Sequence, residues 1–105
     1  MNPERIKPAA CQTMAEVRNG IDSVDRQLVG LLGERFRYMD AAARIKSDRD
    51  AVRDEQRKAE VLANVRSLAD EERIPADKIV LIYELLIESS IAYEFDRFDE
   101  GRAAS

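Results

Sequence analysis

Histidine and tryptophan are absent from these 105 residues, and cysteine occurs once, at Cys11. Without imidazole there is no histidine base and no Ser-His pair. A single cysteine excludes an intrachain disulfide and a thiolate metal cluster, so Cys11 reads as an incidental thiol. There is no glycine-rich phosphate loop and no Glu-x-x-His metal motif. Chemistry that needs a metal or a nucleophile is therefore disfavoured, whereas chemistry that needs only orientation and charge stabilisation is not. No apolar run approaches the roughly 18 residues of a membrane span. The opening MNPERIKPAA lacks the apolar core of a secretory signal, so a cytoplasmic protein is expected. With 17 basic against 21 acidic residues the net charge is −4, which argues against a nucleic-acid binder. The charge is uneven: the stretch Arg35–Lys58 holds eight Lys or Arg and five Asp or Glu, so a locally basic site remains.

What is present is helix-forming. A composition of 45% hydrophobic and 36% charged residues, with 4 Gly and 3 Pro, fits one folded helical domain. Thr13 and Glu16 have capping-box spacing. From there an apolar stripe runs through Met14, Val17, Ile21, Val24, Leu28 and Leu31 or Leu32 to Ile45 without a strong breaker. Gly20, Gly30 and Gly33 weaken this helix by about 1 kcal/mol each. SDRD at 47–50 reads as a loop, and Asp54 caps a second helix showing Val61, Leu62, Val65 and Leu68. EERIP ends that helix, and Pro75 suits the first turn of a third. The third shows Ile79, Ile82, Leu86 and Tyr93 on one face and ends near Gly101. The expected layout is a flexible segment 1–12, a helical domain 13–100 and a tail 101–105.

The first helix is long, about 50 Å for 33 residues. A compact chain of this size has a radius of gyration near 13 Å, so two shorter helices cannot cover such a rod. The expectation is an all-α chain of three helices, one very long, in an intertwined helical homodimer.

Certain polar residues fall on apolar faces. Arg35 lies on the stripe of the first helix, and Lys46 points within about 20° of it three turns on. Buried cations are costly unless an anion meets them. Arg18 is rotated about 100° from Arg35 and about 25 Å down the axis, so it serves another pocket or the partner's. Ser90 and Glu94 follow Leu86 one turn apart, and Asp54 and Arg57 open the second helix. Each has an ordinary reading as a snorkelling cation, a helix-end charge, an N-cap or a surface residue. Together they describe a polar pocket in an apolar frame, suited to a small dianion with hydroxyl or ether oxygens.

TMAEVRNGIDSVDRQLVGLLGERFRYMDAAARIK, AVRDEQRKAEVL and LIYELLIESSIAYEF resemble the all-α chorismate mutase family from about residue 13 to 98. The resemblance implies an intertwined dimer and a cofactor-free, metal-free Claisen rearrangement of chorismate to prephenate. It implies that Arg35 and Arg57 hold substrate carboxylates, joined by Arg18 of the other chain. Lys46 would contact a carboxylate and the ether oxygen of the breaking bond, while Asp54 and Ser90 place the hydroxyl and the ring carboxylate. Two positions depart. Glu94 stands where the bacterial pattern has Gln as second donor to the ether oxygen, as in fungal relatives, and so makes turnover favour acid pH. Lys58 stands where many members have Glu, a position tied to how the hydroxyl is held.

CQTMAEVRNGIDSVD also resembles the isochorismate pyruvate lyase branch of the family, which performs a related pericyclic elimination. VRDEQR, with Asp54, has the mutase loop pattern and favours the mutase. A non-catalytic helical adaptor is the third reading, opposed by cations at all four basic positions. The end of the chain at Ser105 leads us to expect no appended amino-acid-sensing domain.

Overall fold

A computed structural model describes residues 5–103, and within them three α-helices and two one-turn 3₁₀ helices with no strand. The helices are α1 (Met14–Ile45), α2 (Glu55–Glu72) and α3 (Ala76–Ala103). Residues up to Arg37 form one compact unit and residues from Tyr38 another, so α1 contributes to both. The expected segment 1–12 and tail 101–105 each extend beyond the described residues, at 1–4 and at 104–105.

In the first unit the capping box is formed. The Glu16 N–H donates to Thr13 Oγ1 at 3.1 Å, and Glu16 Oε1 accepts from Thr13 N–H at 3.1 Å and Gln12 N–H at 2.7 Å. Two orphan donors of the helix start are thereby satisfied. The chain before α1 makes a 3₁₀ turn at Pro8–Ala10, and Arg5 donates to Ser23 Oγ (3.2 Å) and Gln27 Oε1 (2.9 Å) on α1. A cavity of about 260 Å³ between them is lined by Ile6, Pro8, Cys11, Val17, Ile21 and Val24. Among the described residues the stripe of α1, expected to be buried, is only partly covered. Met14, Ile21, Val24, Leu28 and Leu31 are between 38% and 63% exposed. The one buried residue of this unit's helix is Ser23, under Arg5.

The second unit has a closed core. Ala43 of α1, Val52, and Ile87, Ile91 and Phe98 of α3 are buried together, with Val61 and Leu62 of α2 and Phe95 packed against them. The segment expected to be a loop contains a 3₁₀ turn at Arg49–Ala51, started by Asp48, whose carboxylate accepts the Asp50 N–H at 3.1 Å. Asp54 caps α2 as expected, accepting the Arg57 N–H at 3.0 Å. Helix α2 ends on Arg73 in the left-handed region (φ 60°), its N–H meeting the carbonyls of Ala69 and Asp70. That conformation usually falls to Gly. Pro75 stands just ahead of α3 rather than inside it, and its carbonyl accepts the Ile79 N–H at 3.2 Å.

Two faces differ from expectation. On α2 the buried pair is Val65 and Ala69, while Leu68 is exposed. On α3 the buried line is Ile87, Ser90, Ile91, Glu94 and Phe98, while Ile82 is exposed. Helix α3 is apolar on more than one side in its first half, so periodicity alone selects no single face.

Candidate functional site

The buried line of α3 carries two polar residues where its spacing (i, i+3, i+4, i+7, i+11) would ordinarily place hydrocarbon. Glu94 is 4% exposed, and its Oε2 receives the Lys46 ammonium at 2.7 Å. Lys46 follows directly on α1, its N–H still bonded to the Ala42 carbonyl at 2.9 Å. A carboxylate this buried is expensive alone, and the ammonium is what makes it tolerable. Removing Lys46 would strand the buried Glu94 charge. Ser90 lies one turn before Glu94, 3% exposed, and its hydroxyl donates to the Leu86 carbonyl at 2.7 Å.

The start of α2 brings further charges to α3. Arg53 donates to Glu88 at 2.6 and 3.2 Å and to Glu55 at 2.9 Å. Lys58 reaches Glu84 (3.1 Å) and Glu88 (2.9 Å). The Arg53 hydrogen bonds, then those of Lys58, hold the Glu88 carboxyl down at about 2. Glu88 in turn raises Lys58, with Glu84 adding to it, so this amine stays charged and tied to α3. Arg57, by contrast, has a mostly exposed side chain with a loose contact to Glu60 at 3.4 Å.

The last turns of α3 grip the residues around Lys46. Asp40 of α1 accepts from the Tyr93 hydroxyl at 2.7 Å and from Arg97 at 3.0 Å. The bond to Asp40 pushes the Tyr93 phenol up, so it stays a donor. Arg49 pairs with Asp99 at 2.9 and 3.2 Å and lies 4.5 Å from the Phe95 ring centre. Arg102 donates to the carbonyls of Ala43 and Lys46 and stacks on Phe98. The sequence did not single out Asp40, Arg49, Arg53 or Arg102. The one available signal was their charge, which an exposed helix residue shares.

The remaining candidates belong to the first unit. Arg35 is half-buried on α1, and Arg18 is exposed beside Glu16 and Asp22 in an open depression. Of the seven candidates, then, Lys46 and Glu94 meet directly. Ser90 shares the buried line of Glu94, Asp54 and Arg57 start α2, and Arg18 and Arg35 stand on α1. Among the described residues no group of three or more His, Cys, Asp or Glu could hold a metal ion. No helix among them is long and apolar enough to cross a membrane.

Comparison with known proteins gives two findings. The profile of the family described as chorismate mutase type II matches residues 17–95. An isochorismate pyruvate lyase of Pseudomonas aeruginosa is 29% identical over 98 residues, which cover 93% of this chain and 97% of its own.

Proposed function

The chain belongs to the chorismate mutase type II family, and from that premise we propose that it rearranges chorismate to prephenate in a site shared between two copies of the chain. The observation that carries this reading is the 2.7 Å Lys46–Glu94 pair, in which the partly exposed Lys46 meets a buried Glu94 that lies one turn from Ser90 on an otherwise apolar line of α3. The rearrangement is intramolecular and needs no nucleophile. An enzyme accelerates it by holding the reactive conformer and by meeting the charge that grows on the ether oxygen. Arg35 and Arg57 hold the two carboxylates, with Arg18 entering from the other copy. Lys46 binds a carboxylate and the ether oxygen, and Glu94 is the second donor to that oxygen. Asp54 and Ser90 place the hydroxyl and the ring carboxylate.

In the free protein the Lys46 ammonium is neutralised by Glu94. A substrate carboxylate that takes over Lys46 leaves Glu94 without its cation. A carboxyl can donate to the ether oxygen only as the neutral acid, so turnover is expected to weaken as pH rises. The exposed stripe of α1 supports the shared assembly, since so many large apolar residues in line on a soluble helix ask for a covering surface.

A second reading, isochorismate pyruvate lyase, is favoured by the relative of that name, whose likeness runs over nearly the whole chain. It would use the same anchored dianion for elimination of pyruvate. Purified protein given chorismate or isochorismate separately decides between them. Prephenate from chorismate supports the mutase, salicylate and pyruvate from isochorismate the lyase. Turnover of neither removes both.

A further inference from the structure

The end of α1 poses a mechanical problem. Lys46 sits one residue beyond the helix, where the last carbonyls have no intrahelical donor and the segment is prone to fray. Its ammonium is fixed by Glu94, but that bond must be given up when a substrate carboxylate arrives. A second anchor on residue 46 is needed at the moment the first is lost.

We propose that Arg102 is that anchor, a positioning residue that fixes the backbone of Lys46 for catalysis. Its Nη1 donates to the Ala43 carbonyl at 3.0 Å and its Nη2 to the Lys46 carbonyl. Its Cζ lies 3.8 Å from the centre of the Phe98 ring, and Phe98 is a 5% exposed member of the core. The guanidinium is thus held in its own plane by a buried aromatic face, with two donors aimed at neighbouring carbonyls. A cation there also suits the negative end of the α1 dipole. Helix α3 therefore grips Lys46 twice: by Glu94 at the ammonium and by Arg102 at the carbonyl. Eight residues, about 12 Å of helix, separate the two grips. Substrate binding releases only the first.

The inference rests on the functional reading above, in which Lys46 touches the substrate. Displacing a catalytic group by about 1 Å can cost around 100-fold in rate. For Arg102→Ala we expect kcat to fall about 10-fold with KM changed less than threefold, because Arg35 and Arg57 still bind the carboxylates. Hydrogen exchange at the Lys46 amide should quicken about 10-fold, while amides in the middle of α2 keep their rates. Arg102→Gln, which keeps one donor, should show the same losses at about a third of the size. A merely structural role would instead lower the melting temperature and leave kcat of the folded protein intact. Wild-type kcat together with an unchanged Lys46 exchange rate overturns the proposal. If Arg102→Ala does not fold, Arg102→Gln alone decides by the same two measurements. Lys46→Ala, run in parallel, separates the two failures. If Lys46→Ala is fully active, the functional reading falls and the proposal with it. If Lys46→Ala is dead while the Arg102 variants match wild type, the positioning role alone falls.

Discussion

The two units of this chain close their apolar surfaces in different ways. From Tyr38 onward, Ala43, Val52, Ile87, Ile91 and Phe98 are buried against one another, with the ion pairs of Arg49, Arg53, Lys58 and Arg97 around them. Up to Arg37 a single long helix shows Met14, Ile21, Val24, Leu28 and Leu31 to solvent, with the segment from Arg5 to Cys11 over part of it. The first arrangement buries its apolar residues within the unit, and the second leaves much of its stripe exposed. A helix whose apolar face is bare draws its stability from whatever covers that face, and we expect a second copy to do so.

The largest effect we expect comes from breaking the cations on the uncovered helix. Arg35→Ala should lose about 3 kcal/mol or more of transition-state stabilisation, over 100-fold in kcat/KM. A folded Arg35→Ala protein with unchanged kcat/KM would remove Arg35 from the site. Mixing inactive Arg18→Ala with inactive Arg35→Ala should recover part of the activity, because one mixed site then has both arginines. A mixture that exchanges subunits and stays dead rules out Arg18 acting across the interface.

The next test sets one unit against the other. Ile87→Ala, at a position 6% exposed, should cost about 2–5 kcal/mol of stability at any protein concentration. Leu28→Ala should instead destabilise in a way that grows on dilution, since its partners lie in another copy. Melting curves over a 100-fold concentration range compare the two. A wild-type melting temperature that stays constant over that range would show that no second copy covers the stripe.

Two carboxylates of α3 give pH signatures of opposite kind. Turnover should be highest at acid pH and fall as Glu94 ionises in the complex, and Glu94→Gln should flatten the profile while keeping activity near neutrality. A wild-type profile already flat from about pH 5 to 8 takes the donor role from Glu94. Glu88 acts on stability. Its folded carboxyl is held down at about 2 by Arg53 and Lys58, whereas an unfolded Glu titrates near 4.3. The folded protein thus binds this proton more weakly. The stabilisation is complete above the unfolded value and is lost as pH falls from about 4 through 2. Glu88→Gln should lose less melting temperature between pH 5 and pH 2.5 than wild type does. An identical drop in both proteins would mean the network contributes nothing. The smallest effect is Arg73→Gly, which relieves a left-handed residue (φ 60°) at the end of α2. We expect a gain of about 0.5–1 kcal/mol by chemical denaturation. A loss of stability would show that the Arg73 side chain does more than cap.

What was legible in the sequence was local. Thr13 with Glu16 and Asp54 as a cap could be read because a side chain within four residues meets the orphan N–H groups of a helix start. The end of α1 could be read because the apolar period stops at SDRD. The candidates Lys46 and Glu94 were legible as anomalies, charges at positions where a helix stripe calls for hydrocarbon. That they meet at 2.7 Å was not, because 48 residues separate them.

Which apolar face is buried was decided by packing. Ala69 rather than Leu68 faces inward, and Ile87 rather than Ile82. Both choices satisfy a 3.6-residue period, and only the neighbouring helix selects one. The same holds for Arg102. In the sequence it is a charge near a helix end. In the structure it meets the carbonyls of Ala43 in α1 and of Lys46 just beyond it, more than fifty residues away. The sequence by itself determined three helices and their boundaries, since caps and breakers act within one turn. Tertiary structure alone decided which charges became partners, because pairing depends on distance in space and the chain's own period carries no record of it.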